Sequence, residues 1–495
     1  MIRKYVVQQI CSLFDTIQDG IDYISTAQGD TAELVLENCQ YALHQILQTI
    51  QQEELTAAEY YIERVHSVLD RLEIGAPSDC CQIMKQQLEA VRERLQQEPV
   101  RLEIAFLPYK FSMWDSMDSV WRAAAADPMC DCYVVPIPYY DRNPDHSFGK
   151  FHYEGTQFPE DIPVVDYASY HMAERKPDIV YIHNPYDAFN HVTSVDPHYY
   201  SHELKKHTGM LVYIPYYVAG SSKALGVQTT LTMLSAYRQA DRIIVQSDGM
   251  KRGLIDLGIS EACVMALGTP KLDYVVRHQP GECPPDWRKK LQGKTVFLVN
   301  SSLTDLLRLG RNWLLSIKAL LIGITADADC AVIWRPHPLT EATVKSMRTD
   351  LLQLYQDMKA HLLQLDNFIY DENSNYLSAF DVSHALITDY SSLPFMYGVT
   401  KKPILFLTGS QSERESLKYN FIDYYDCYFQ EDGLHVTSFV NMVKKKKDPL
   451  QQKRLASLFG SLINADGTAG EKIHAAIVEA VKVSEQQIVT KEQKP

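Results

Sequence analysis

The stretch FDVSHALITDYSSLPFMYGVTKKPILFL, residues 380–407, contains two short apolar runs separated by a polar cluster and a short intervening segment. The first run is 385–387, the cluster is 388–392, and the second run ends the stretch. This order predicts a strand, a turn, a helix and a second strand. Ligands of open α/β sheets bind at the carboxyl ends of strands, and free N–H groups at a helix start attract anions. We therefore expect Ser391 and Ser392 to cap the helix and to offer hydroxyl donors to a ligand; the alternative is a capped helix without a ligand.

Similar alternation extends over most of the chain. Apolar runs alternate with amphipathic segments from residue 101 to 266 and again from 295 to 407. Regular alternation of this kind is typical of a parallel, doubly wound sheet. Two such series predict two Rossmann-like domains, residues 99–275 and 276–485, followed by a flexible polar tail, residues 486–495.

Residues 1–98 have a helical pattern. Apolar residues recur there at spacings of three and four in four segments. We expect four amphipathic helices that close into a small bundle or mediate homo-oligomerisation. Because Arg3 and Lys4 precede the apolar face of the first helix, peripheral membrane contact is an alternative.

The composition indicates an ordinary cytoplasmic protein. A content of 46% hydrophobic and 22% charged residues is typical of soluble proteins, and a net charge of −14 argues against a nucleic-acid partner. Ten cysteines show no repeated Cys-x-x-Cys pair, which favours reduced thiols over disulfides or a metal site. Neither a signal peptide nor an apolar segment of the ~20 residues needed for a bilayer crossing is found.

Four short motifs occur in a specific order along the chain. Together they resemble the CDP-glycerol glycerophosphotransferase family, the teichoic acid primases and polymerases, over roughly residues 260 to 480. The motifs are GTPKLD (268–273), RPHP (335–338), TDYSS (388–392) and DGTA (466–469).

The resemblance implies a GT-B fold, in which two Rossmann-like domains face each other across a cleft. It implies that the first domain binds the acceptor and the second the CDP-linked donor. The expected reaction moves glycerol phosphate, or a related polyol phosphate, to a hydroxyl of a cell-surface glycan or lipid-linked polyol phosphate, and releases CMP. No resident cofactor is required, although Mg²⁺ can accompany the nucleotide. A lipid-linked acceptor would place the protein at the inner face of the cell membrane.

The donor site must neutralise the charge of a diphosphate. Several candidate residues follow predicted strands of the second domain, where a guanidinium, hydroxyls and helix N–H groups can converge. His337 is expected to assist catalysis there. The alternatives are a surface ion pair for Arg335 and a loop histidine held by its prolines for His337. The candidate donor-binding residues are Arg335, Thr388, Asp389, Ser391, Ser392, Ser301 and Ser302.

The general base is harder to identify. Members of the family resemble one another in a His-Gly motif in the N-terminal half, but residues 213–218 read YIPYYV. His183 follows a predicted strand, its ordinary pKa near 6.5 suits a base, and Asp187 could orient it. A lone histidine at a strand end is also a common structural residue. A long segment, residues 138–163, is rich in Tyr and His and is expected to line or cover a site.

Two other functions stay open. One is a nucleotide-sugar glycosyltransferase with the same fold, and the other is a catalytically degenerate GT-B module that binds a glycan or a partner. The sequence has no Gly-x-x-x-x-Gly-Lys-Ser/Thr or Gly-x-Gly-x-x-Gly motif, which argues against an ATPase and a dehydrogenase. It has no His-Glu-x-x-His motif either, and nothing in it requires a metal.

Overall fold

The structure is a computed structural model that describes residues 1–492 except 28, 54, 56, 75–79, 144, 191, 222–233, 418, 419 and 425; of residues 484–492 it describes the backbone alone. Two parallel sheets covered by helices, preceded by a helical segment, confirm the predicted α/β class. No helix in this described part combines the length and apolarity needed to cross a membrane.

Four helices form the N-terminal segment and share one apolar core. Gly20 permits the first two to approach closely, because a Cβ atom there would lie 2.4 Å from Cys39 Sγ. A short strand, Ile2–Arg3, pairs with the first long strand of the next domain and attaches the bundle to it. The helices are Lys4–Thr26, Asp30–Gln52, Ala58–Glu73 and Cys81–Leu95.

The first α/β domain contains a seven-stranded parallel sheet and a small antiparallel one. Two of the three strands of the small sheet lie within residues 138–163, the segment expected to be a long loop, so this part of the chain has more regular structure than predicted. In the parallel sheet, Ile2–Arg3 and Cys130–Val134 both pair with Val100–Leu107. The order then continues with Ile179–Ile182, Met210–Tyr213, Arg242–Val245 and Val264–Ala266. The antiparallel sheet has the order Phe148–His152, Tyr139–Arg142 and Thr193–Val195.

The second α/β domain contains a six-stranded parallel sheet. Its central strand places Asn300 opposite both Arg335 and Thr388, so the predicted motif residues lie along one carboxyl edge. In spatial order the strands are Phe368–Tyr370, Cys330–Pro336, Thr295–Ser301, Ala385–Thr388, Ile404–Phe406 and Tyr428–Phe429.

Helices connect and cover the strands of both sheets. The α-helices after the bundle are Asp118–Ala125, Met172–Arg175, Ser201–Leu204, Ser235–Gln239, Asp248–Asp256, Pro270–Val276, Pro285–Leu291, Leu303–Leu309, Arg311–Thr325, Thr340–Ser346, Leu352–Leu363, Leu377–Val382, Leu393–Gly398, Gln411–Glu415, Val436–Lys444, Gln451–Ser461 and Ala469–Glu492. The 3-10 helices are Phe111–Ser116, Gly155–Gln157, Asp187–Phe189, Pro197–Tyr199, Glu261–Cys263 and Thr349–Leu351.

The last helix, Ala469–Glu492, returns to the first domain. Its apolar residues Ile473 and Ile477 lie in the core that also contains Val120 of that domain. The predicted boundary had placed this helix in the second domain, residues 276–485. The predicted tail is helical as far as Glu492, and its last three residues lie outside the described part of the chain.

Two of the four sequence motifs form the junction where this helix begins. The carboxylate of Asp273, in the first motif, accepts hydrogen bonds from the backbone N–H groups of Ala469 and Gly470 at 3.1 and 2.7 Å. Gly268 has φ +95°, and a Cβ atom there would lie 2.5 Å from the Ile463 carbonyl oxygen. The motifs GTPKLD and DGTA therefore hold the crossover between domains together.

Candidate functional site

Asn300 lies at the centre of the carboxyl edge of the second sheet. Its Oδ1 accepts hydrogen bonds from Thr388 Oγ1 at 3.3 Å and Ser391 Oγ at 3.1 Å, and its Nδ2 donates to the Arg335 carbonyl at 2.9 Å. This one amide joins two of the sequence motifs. Sequence reasoning missed Asn300; its signal was a polar residue at the end of an apolar strand, directly before Ser301.

The Arg335 side chain turns away from Ser391. Its Nη1 pairs with Asp371 Oδ2 at 2.6 Å, and its Nη2 donates to the Asn373 carbonyl at 2.8 Å. Asp371 follows the neighbouring edge strand, on the far side from Asn300. Arg335 therefore has an intramolecular partner, which was the alternative considered from the sequence, and Ser391 and the Arg335 guanidinium do not share a contact.

The imidazole of His337 presents a hydrogen-bond donor to solvent. Its Nδ1 accepts from the Leu339 N–H at 3.1 Å, so the ring proton of the neutral form is on Nε2. The ring is exposed, although partial desolvation by neighbouring atoms lowers its pKa. The backbone N–H of His337 donates to the Ser301 carbonyl at 2.9 Å and fixes the loop at the sheet edge.

Asp389 and Ser301 lie on the opposite face of the sheet, because side chains alternate along a strand. The Asp389 Oδ2 accepts from the Ser302 N–H at 2.7 Å, and Ser301 Oγ accepts from Trp334 Nε1 at 3.1 Å. Burial raises the pKa of Asp389 to about 7, and its Oδ1 is buried without a hydrogen-bond partner among the described residues. The predicted donor residues are thus divided between two faces of the sheet.

A cavity of about 650 Å³ lies on the Asp389 face, between the helices Arg311–Thr325 and Val436–Lys444. Its described lining includes three carboxylates, those of Asp305, Asp327 and Asp389, and neither Lys nor Arg. Asp305 and Asp327 are already paired with Arg308 and Lys444. Neither of these cations belongs to the described lining, so a diphosphate there would find no unpaired cation to bind. The Asn300 face of the edge is therefore the better site for an anionic donor.

The signature turn contacts the first domain. Tyr390 donates from its hydroxyl to Ser221 Oγ at 3.1 Å, and a Cβ atom on Gly220 would lie 2.1 Å from Phe395 Cζ. The Gly220 carbonyl also accepts from the N–H groups of Phe421 and Ile422. The Asn300 face is therefore the one directed toward the first domain.

Arg414 is a cation beside this turn that the sequence analysis did not identify. Its guanidinium lies 5.3 Å from the centre of the Tyr390 ring and 5.1 Å from that of Phe406. The side chain is buried, and among the described residues its Nη1 has no hydrogen-bond partner. A buried guanidinium donor without a partner is costly unless a ligand satisfies it. The short helix that holds Arg414, Gln411–Glu415, carries no recognisable motif.

His183 has no free nitrogen on its ring. Nε2 accepts from the Tyr109 N–H at 3.3 Å, and Nδ1 lies 3.0 Å from the Ser116 hydroxyl, which itself donates to the Met113 carbonyl. The residue is fully buried, and burial, together with the nearby Lys271 ammonium, lowers its pKa to about 3. In this arrangement His183 is a neutral structural residue that cannot reach an acceptor hydroxyl.

Asp187 does not orient His183 as expected. Its Oδ2 accepts from the Ser201 N–H at 2.8 Å, and burial raises its pKa to about 6. It thereby holds the start of the helix Ser201–Leu204. The Lys271 ammonium, which lies near His183, pairs with the buried carboxylate of Asp115 at 2.6 Å. The hydroxyl of Tyr376, in the second domain, donates to the same carboxylate at 2.8 Å.

The antiparallel sheet carries a second imidazole and carboxylate pair. His152 Nε2 lies 3.0 Å from Asp141 Oδ2, both side chains are partly exposed, and the imidazole stacks on Tyr139 at 4.9 Å between ring centres. This sheet lies beyond the carboxyl ends of the first parallel sheet, where α/β proteins bind ligands. The two atoms are at ion-pair distance without hydrogen-bond geometry, because Nε2 has no hydrogen-bond partner among the described residues.

Comparison with known proteins gives a family match and a shared fold. A family model described as CDP-glycerol:poly(glycerophosphate) glycerophosphotransferase matches residues 206–479, which is 479 − 206 + 1 = 274 of 495 residues. A search of curated proteins finds no match. A candidate UDP-N-acetylglucosamine 2-epimerase from Listeria monocytogenes is 15% identical with a TM-score of 0.52, covering 77% of this chain and 97% of its own.

A structure of the wall teichoic acid polymerase TagF is 16% identical with a TM-score of 0.45, covering 86% of this chain and 98% of its own. At these identities the comparisons concern the fold alone. The likeness to the GT-B-like epimerase confirms the predicted GT-B arrangement.

Proposed function

Because the chain belongs to the CDP-glycerol:poly(glycerophosphate) glycerophosphotransferase family, we propose that it transfers glycerol phosphate, or a related polyol phosphate, from a CDP-linked donor to a hydroxyl group. The acceptor is a cell-surface glycan or a lipid-linked, teichoic-acid-like polyol phosphate, and CMP leaves. The observation that carries this proposal is the joining of two motifs through Asn300 on the face of the sheet edge that opens toward the first domain.

The donor diphosphate is held by three kinds of group on this face. Ser391 offers a hydroxyl, His337 offers the Nε2–H donor, and Arg414 offers a guanidinium whose Nη1 has no described protein partner. Charge-assisted hydrogen bonds of this kind are among the strongest in proteins. The cavity beside Asp389, whose described lining contains neither Lys nor Arg, is not part of this donor site.

The reaction exchanges one phosphorus–oxygen bond for another. The acceptor oxygen attacks the β-phosphorus, the bond from that phosphorus to the bridging oxygen breaks, and CMP leaves with the bridging oxygen. His337 and Arg414 stabilise the charge that develops on the phosphoryl and leaving oxygens. No resident cofactor is needed, and Mg²⁺ enters only as an ion carried by the diphosphate.

The acceptor hydroxyl must lose its proton to a base on the first domain. His183 is unsuited as it stands, because it is buried and both ring nitrogens are engaged. We assign this role instead to His152, whose Nε2 lies 3.0 Å from Asp141 Oδ2. Both residues lie beyond the carboxyl ends of the first sheet, on the side where the acceptor is expected.

The proposal places the reaction in the cytoplasm, at the inner face of the cell membrane when the acceptor is lipid-linked. Residues 1–98 are not needed for the chemistry described above. Their exposed faces are assigned to homo-oligomer or peripheral membrane contact, which size-exclusion chromatography and vesicle sedimentation of the purified chain can separate.

The test is CMP release by the purified protein with CDP-glycerol and a polyol phosphate acceptor. We expect acceptor-dependent CMP release, and loss of it in Asn300→Ala. Asn38→Ala, at an exposed position on the bundle helix Asp30–Gln52, is the matched control. Preference for UDP- or CMP-sugars over CDP-glycerol would contradict the donor and favour a glycosyltransferase. Nucleotide binding without CMP release, whichever acceptor is supplied, would favour a degenerate binding module.

A further inference from the structure

Three potential metal ligands converge where the last helix meets the first domain. Asp127 lies in the turn before the strand Cys130–Val134, Cys130 is the first residue of that strand, and His474 lies on the helix Ala469–Glu492. One ligand atom from each of these residues lies within 4.8 Å of the other two, and His474 Nε2 is 2.9 Å from Asp127 Oδ2. No other trio of His, Cys and acidic side chains comes this close in the described part of the chain.

The second domain contains the same turn without the histidine. In both turns the aspartate carbonyl accepts from the cysteine N–H at 3.0 Å, and the aspartate Oδ1 accepts from the residue before the cysteine. Asp327 and Cys330 occupy the second turn, and there the carboxylate pairs with the Lys444 ammonium at 2.5 Å. An ammonium cannot ligate a metal, because it has no lone pair. Only the turn in the first domain therefore has three donors.

We propose that Asp127, Cys130 and His474 bind one Zn²⁺ ion. A carboxylate oxygen, a thiolate and an imidazole nitrogen are the ligand types that zinc prefers, and three protein ligands leave one position of a tetrahedron for water. Cys130 and His474 are buried, whereas Asp127 is partly exposed, so the water position lies on the Asp127 side. The site escapes recognition in the sequence because His474 is 347 residues from Asp127.

Binding releases the proton of the Cys130 thiol and any proton that His474 Nε2 carries in its pair with Asp127. The Cys130 thiol loses its proton to solvent as the thiolate ligates the ion, and Nε2 of His474 must carry a lone pair. The ring proton of His474 then resides on Nδ1, which is buried without a hydrogen-bond partner among the described residues. Asp127 Oδ2 then contacts the metal in place of His474. Asp127 Oδ1 continues to accept the hydrogen bond from the Met129 N–H at 2.9 Å.

The ion would fasten the last helix to the first domain. Ile473, the neighbour of His474, is fully buried in the core of that domain, and Asp273 caps the start of the same helix. A ligand that binds the native state alone stabilises it in proportion to the logarithm of its concentration. Zinc is therefore expected to raise the unfolding temperature without a direct part in phosphoryl transfer.

The test is a titration of the metal-stripped full chain with Co²⁺, which reports thiolate ligation through a charge-transfer band in the near ultraviolet. We expect one Co²⁺ per chain, displacement by Zn²⁺, and a rise in the unfolding temperature with Zn²⁺. Cys130→Ser should abolish the band, and His474→Gln should weaken Co²⁺ binding by more than about tenfold. Cys330→Ser, in the equivalent turn of the second domain, should change neither the charge-transfer band nor the rise in unfolding temperature with Zn²⁺.

Circular dichroism establishes that each variant is folded before it is titrated. Absence of the band in the folded parent chain would overturn the proposal and leave Asp127 and His474 as a simple ion pair. Persistence of the band in folded Cys130→Ser, or unweakened Co²⁺ binding by folded His474→Gln, would overturn it equally, since the ion would then bind elsewhere.

Discussion

Asp389 is a buried carboxyl group whose protonation links stability to pH. Its pKa is raised to about 7 by burial, so the native state keeps a proton that an unfolded Asp loses near pH 4. The stabilisation is therefore full below about pH 4 and is lost as the pH rises to about 7. Asp389→Asn, which resembles the protonated form, should lack this loss.

Urea unfolding at pH 5 and pH 8 checks the prediction. The variant should become more stable than the parent chain at pH 8 by up to about 4 kcal/mol, with a smaller difference at pH 5. Comparing the two proteins removes the parallel effect of Asp187, whose pKa is raised in the same direction. A difference that does not change with pH would contradict the assignment of a neutral Asp389.

Arg414 tests whether the buried guanidinium binds the donor. Arg414→Gln removes the charge, and we expect the KM for CDP-glycerol to rise by about 10- to 100-fold, the effect of losing a charge-assisted hydrogen bond. Steady-state CMP release measures it. Arg252→Gln, an exposed arginine on another helix, is the control. An unchanged KM in folded Arg414→Gln would remove Arg414 from the site.

The two histidines of the first domain should behave differently. His152→Ala should lower kcat by about 100-fold or more, because it removes the proposed base. His183→Ala should lower the free energy of unfolding by about 2–4 kcal/mol, because it leaves the buried Tyr109 N–H unpaired, while the folded fraction keeps its turnover. The reverse pattern, with kcat lost in folded His183→Ala alone, would restore His183 as the base.

At the scale of elements, the periodic parts of the chain could be predicted and the crossover could not. Apolar runs ending at Thr388 and Arg335 place both motifs at strand ends, because strands and helices have distinct periods. The return of the last helix depends on Asp273 meeting Gly470, which are 197 residues apart, and no local pattern encodes such a pairing. Two strands of the antiparallel sheet lie in the segment predicted to be a loop, and their partner strand, Thr193–Val195, lies outside it.

Gly220 tests the contact between the signature turn and the first domain. Gly220→Ala would place a Cβ atom 2.1 Å from Phe395 Cζ, so we expect a loss of about 1–3 kcal/mol in the free energy of unfolding. Thermal and urea unfolding measure it. Gly281→Ala, where nothing lies within 4 Å of the added Cβ, is the matched control and should be nearly neutral. Equal effects of the two substitutions would contradict the close packing of this turn.

At the scale of the whole molecule, side-chain direction separates two sites that the sequence analysis had joined. The residues Thr388 and Asp389 are adjacent, yet they face opposite sides of the sheet. The first meets Asn300 on the side facing the first domain, and the second meets the cation-free cavity. A strand position was predictable from the motif, but the face that opens to the other domain depends on how the two sheets are placed.

The central claim is that the Asn300 face of the second sheet binds the CDP-linked donor. The most direct test is an experimental structure of the protein with CDP-glycerol bound. The diphosphate should lie within hydrogen-bond distance of Ser391 Oγ and His337 Nε2, with Arg414 beside it. A diphosphate found instead in the cavity between the helices Arg311–Thr325 and Val436–Lys444, next to Asp389, would contradict the account.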